Sequence, residues 1–109
     1  MRMVMSPAAL GLLRALAARA GVPRDRLLLS AWNSVDWQSL TFVGERHQAQ
    51  FRIAGADSVA VASRFTSGIF DAEFSVAGHI VADIATVGCP ELLADGSTAL
   101  RIEALTISE

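Results

Sequence analysis

Chemistry in this chain has few places to sit. The run GHIVADI, residues 78–84, sets His79 and Asp83 among apolar side chains, and Glu103 lies in a later apolar run, STALRIEALTI. One imidazole with two carboxylates can act as a base with an orienting partner, or can hold a metal that keeps open positions. These three are the candidate catalytic residues. No spacing among them is diagnostic of a metal, and neither a metal centre nor a cofactor is expected. Arg52, Arg101 and Trp37 are the candidate ligand-binding residues, two fixed cations and an indole able to line a small pocket beside Trp32. The segment GERH, residues 44–47, gathers Glu45, Arg46 and His47, and reads as a solvated turn.

Composition removes whole classes of mechanism. The 109 residues contain no tyrosine, and all nine Lys and Arg residues are arginine. Schiff-base lysines, a P-loop lysine and phenolic acid-base catalysis are therefore excluded. A net charge of −2 with dispersed cations argues against a nucleic-acid partner. The single cysteine, Cys89, forms no internal disulfide and no multi-cysteine zinc site, which suits a reducing cytoplasm. No apolar run reaches the roughly 18 residues of a membrane span, so no membrane partner is expected. The first twenty residues resemble a weak export signal, but Arg14 interrupts the apolar stretch. The motifs G-x-G-x-x-G, G-x-S-x-G, C-x-x-C and H-E-x-x-H are absent.

The elements that must position these residues follow from periodicity. One domain is expected, with residues 1–5 disordered and residues 6–20 a helix packed on a sheet. Ser6 is a good cap, Pro7 suits the first turn, and Gly21 supplies the stop, while Ala9, Leu12, Leu13, Leu16, Ala17 and Ala20 form one stripe. LLLSAW fits a strand or a helical turn, and Asn33, Ser34 and Asp36 read as a loop. From Trp37 onward alternation predicts a β-hairpin turning near Gly44, Glu45 and Arg46. Asp57 is placed to cap a second helix over Ser58 to Ile69, with Val61, Ala62, Phe65 and Ile69 buried. A second hairpin then joins a strand over 73–84 to one over 97–107. In the first of these Phe74, Val76, Gly78, Ile80, Ala82 and Ile84 face the core, Gly78 marks a bulge or bend, and His79 and Asp83 point away, about 13 Å apart.

The expected fold is α+β: helix, β-hairpin, helix, β-hairpin, a mainly antiparallel sheet with helices on one face. The uncovered face collects Gln48, Gln50, Arg52, Glu73, His79, Asp83, Arg101 and Glu103. Cross-strand pairs such as Asp83 with Arg101, or His79 with Glu103, would account for them without further function. A charged fraction of only 18% against 52% apolar residues favours burial of part of the surface in a homodimer. The reading is a bacterial, cytoplasmic, non-enzymatic structural or interaction module that dimerises. The alternative is a small enzyme or a ligand- or metal-binding protein using His79, Asp83 and Glu103.

Overall fold

A computed structural model describes residues 5–109, so the disorder expected at the extreme N-terminus falls, for residues 1–4, outside the described residues. Helix α1 spans Pro7–Ala20. The Ser6 hydroxyl accepts the Ala9 N–H at 3.1 Å, Pro7 loses nothing by lacking a donor in the first turn, and Gly21 ends the helix at φ 67°. Leu12, Leu16 and Ala20 are buried, whereas Leu13 and Ala17 are half-buried at the rim of the stripe.

Strands β1 (Leu27–Gln38) and β2 (Val43–Ile53) form the first hairpin. LLLSAW is strand, and Asn33, Ser34 and Asp36, expected in a loop, continue it. The turn is not at Gly44 to Arg46 but at Ser39 to Phe42, closed by Ser39 N–H to the Phe42 carbonyl (2.9 Å) and Phe42 N–H to the Ser39 hydroxyl (3.1 Å). The serine side chain supplies what Asn-Gly would supply by backbone conformation. Gly44 serves a different purpose, because a Cβ there would lie 2.0 Å from the carbonyl oxygen of Thr106; the glycine lets the neighbouring strand approach.

Helix α2 covers Ser58–Thr66, and Gly68 at φ 67° turns the chain into a short 3-10 helix over Ile69–Asp71. The four expected core residues, Val61, Ala62, Phe65 and Ile69, are buried. Asp57 sits at the cap position without capping: its carboxylate pairs with Arg26 instead.

Strands β3 (His79–Thr86), β4 (Glu91–Leu92) and β5 (Thr98–Ser108) complete an antiparallel sheet of order β1-β2-β5-β3, with β4 also on β5. The parity expected for residues 73–84 fails in two places. Residues 73–78 are outside the strand, and Gly78, at φ 75°, turns the chain so that Val76 bridges His79. The register then slips between Val81 and Asp83, with Ala82 extra. Such a bulge exchanges the two faces, so Val81 packs on the core with Ile84 while Ile80, expected inside, is 53% exposed.

Both helices and one sheet face share a single core, built around Leu12, Leu16, Phe51, Ile53, Val61, Phe65, Leu100 and Ile102. Trp32, Phe51 and Phe65 meet edge to face, with ring centroids 6.4 and 6.3 Å apart, tying the sheet to α2. Arg19 of α1 donates to the carbonyls of Phe65 and Ser67 at the end of α2, which fixes the helices to each other. Among the described residues, no helix covers the opposite sheet face.

Candidate interaction surface

Polar groups on the helix side are few and partnered. His47, expected in a solvated turn, is the most buried ionisable side chain, 2% exposed in the middle of β2. Register explains its surroundings, since it lies between Ser34 on β1 and Ala104 on β5. Its Nδ1 is 2.8 Å from the Ser34 hydroxyl, and its Nε2 is 2.8 Å from the Thr106 hydroxyl. The Trp32 indole N–H donates to Ser34 Oγ at 2.9 Å, and the indole stacks edgewise on the imidazole. With Ser34 donating to Nδ1 and Nε2–H donating to Thr106, both ring nitrogens are satisfied in the neutral form. Burial lowers the His47 pKa; nearby Glu45 opposes that shift and His79 adds to it. The result is a polar seam across three strands, shaped to hold them in register rather than to meet a substrate. At its end Glu45 accepts a hydrogen bond from Ser6 at 2.7 Å, linking the sheet to the start of α1.

The helix-free face is polar in the middle and apolar at one end. At the centre Gln48 reaches Glu103 at 3.4 Å, and Gln50 lies opposite Arg101. A groove of about 560 Å³ runs over Gln50, Arg52 and Arg101, walled by Val87, Cys89 and Glu91. Arg52 pairs with Asp95 and donates to Ser97 at 3.1 Å. Asp95 is held below the usual carboxylate range first by the Ser97 hydroxyl and N–H, then by Arg52. Toward the hairpin end the row Trp37, Gly44, Ile107 and Ile80 crosses all four long strands, and Val35, 56% exposed, lies beside it. The hairpin tip adds Leu40, fully exposed, with Phe42 and Val43 more than half exposed.

Of the candidate residues, Asp83, Glu103, Arg52, Arg101 and Trp37 disperse over this face, whereas the exchange of faces in β3 turns His79, expected to point away from the core, to the helix side with Val81. His79 stands opposite Ser108, Asp83 opposite Leu105, and Glu103 opposite Ala85, so neither expected cross-strand pair forms. The His79 Nδ1 atom is 3.0 Å from the Ala77 carbonyl, a local contact within its turn. Among the described residues no three His, Cys, Asp or Glu side chains gather closely enough to hold a metal. Arg52 and Arg101 do line one groove, whereas Trp37 is at the far end of the sheet. The sequence signal that could have found the His47 seam is the polar set Ser34, His47 and Thr106, each at an inward position of its strand.

No family model matches the chain, and no curated protein matches it. Among solved structures it resembles a chain of the virion of a native gene transfer agent particle, at a TM-score of 0.52 and 17% identity, over 88% of this chain and 89% of that one. At that identity the likeness is one of fold, and it runs nearly end to end. No helix among the described residues is long and apolar enough to cross a membrane.

Proposed function

We propose that this protein is a non-enzymatic structural subunit that works in contact with further copies of itself, as a component of a virus-like particle. The observation that carries the reading is the near full-length likeness in fold to a chain of a gene transfer agent virion. The surface supports it. Val35, Leu40, Phe42, Val43 and Ile80 are all more than half exposed and lie at one end of the sheet, where an isolated subunit gains nothing from them. The two-fold dimer that composition suggests is the smallest assembly of this kind. Sedimentation velocity over a range of micromolar concentrations is the test. Concentration-dependent growth beyond the monomer is expected, and a monomer throughout that range would overturn the reading.

A further inference from the structure

We infer that copies of this chain join head to tail, the Leu40 to Phe42 hairpin tip of one seating in an apolar slot between α1 and the start of β1 in the next. This rests on the self-association proposed above and gives it a geometry. The tip is built against the ordinary preference of a tight turn. Its closing bonds come from Ser39, and no non-glycine residue there has a positive φ, so the two tip positions are free to carry any side chain. They carry Leu40, wholly exposed, and Thr41, and the closing residue Phe42 is itself 52% exposed. Asn, Asp or Gly would be the usual choice in solvent.

The slot has about 180 Å³ and is lined by Leu13, Ala17, Val22, Leu27 and Leu29, with Phe51 at its floor and Arg24 at its side. An apolar cavity of about 150 Å³ accepts a benzene ring, so the slot matches a phenylalanine side chain in size and chemistry. Charge agrees as well. Asp36 and Glu45 face each other across the hairpin near the tip, and among the described residues neither is in an ion pair. Arg24 beside the slot is exposed and likewise has no ion-pair partner among them.

Tip and slot lie at opposite ends of the same strand. Leu27 and Leu29 line the slot and Gln38 precedes the turn, roughly 36 Å away at ~3.3 Å per residue, so a copy cannot fill its own slot. A contact between two different patches of identical chains does not close on itself as a pair, so it takes the place of the two-fold dimer that composition suggests. It continues into a ring or a filament.

The test is complementation between two variants. A tip variant, L40D/F42D, keeps an intact slot, and a slot variant, A17R, keeps an intact tip. Circular dichroism checks that both fold, and Arg24→Glu serves as a milder slot variant. Each alone is expected to sediment as a monomer, with self-affinity lowered roughly thirtyfold or more, the loss typical of a hot spot. An equimolar mixture is expected to give a heterodimer and nothing larger. Asp36→Arg combined with Arg24→Glu is expected to restore the assembly that either change weakens. If folded tip variants still assemble like the parent, or the mixture stays monomeric while the parent assembles, the head-to-tail contact is wrong and the structural role stands. If the parent itself is monomeric, both fall.

Discussion

On the helix side of the sheet the polar groups are enclosed and matched: the indole of Trp32, the hydroxyls of Ser34 and Thr106 and both nitrogens of His47 each have a partner, and Ser58 bonds Thr98 and the Gly96 carbonyl. On the open side, toward the hairpin, the reverse holds, with large apolar side chains standing in solvent around Trp37 and Gly44. The first arrangement stabilises one chain, since burying an unpartnered polar group costs more than a made hydrogen bond returns. The second stabilises nothing within the chain. Apolar area removed from water gains about 25 cal/mol per Å², and here that gain is available only to something outside the monomer.

The sharpest way to break this comparison is to truncate neighbours on opposite faces of β2. Phe51, 1% exposed and in edge contact with Trp32 and Phe65, is expected to cost about 3–5 kcal/mol as Phe51→Ala. Gln50, the next residue back and exposed on the open face, is expected to change stability by less than about 0.5 kcal/mol as Gln50→Ala. Urea denaturation of the two variants measures both. Comparable losses would mean that the open face is also part of the monomer's core.

A smaller effect is expected at the seam. His47→Leu keeps the bulk but leaves the Ser34 and Thr106 hydroxyls beside an apolar side chain, at a cost of about 1–3 kcal/mol. The pH dependence sharpens the assignment. Burial holds the His47 pKa below its ordinary value of 6.5, so the unfolded chain takes up a proton that the folded chain refuses. Stability from the neutral ring is therefore full above about pH 6.5 and falls as pH drops through the lower folded-state value. Between about pH 7 and pH 5 the parent is expected to lose stability more steeply than His47→Leu, the other ionisable groups being common to both. Equal slopes would show that the imidazole is not held neutral.

The two histidines also mark how far the sequence could be read. Helix α1, with its cap, its glycine stop and its buried stripe, was legible because every signal for it is local: Ser6, Pro7 and Gly21 act on their own turn. The stripe of α2 and the inward set Leu100, Ile102 and Ala104 were legible for the same reason, a period that nothing interrupts. The alternation in β3 was interrupted. Gly78 and Ala82 each carry a backbone irregularity, and nothing in GHIVADI distinguishes a bulged alanine from a paired one. His79 attracted attention because its neighbours are apolar, yet it hangs near a turn, while His47, between charged and polar neighbours, is sealed by strands far away in sequence. Register is a non-local property, and Gly44 shows it plainly. Within GERH it looks like a turn residue, and only the approach of Thr106 from β5 explains it.

The smallest expected effect is the one that bears most on the open face. Leu40→Ser removes a side chain that is fully exposed and lies outside the buried core, in a turn closed by Ser39 and Phe42 rather than by itself. Its unfolding free energy, measured at a concentration where the parent is monomeric, is expected to match the parent within about 0.5 kcal/mol. In the range where the parent self-associates, the apparent stability of the parent alone should rise with concentration, because assembly draws on the folded form. Divergence of the two curves only at high concentration would place the role of Leu40 between molecules. A loss already present at high dilution would place it inside one, and the contrast between the two faces would then need another explanation.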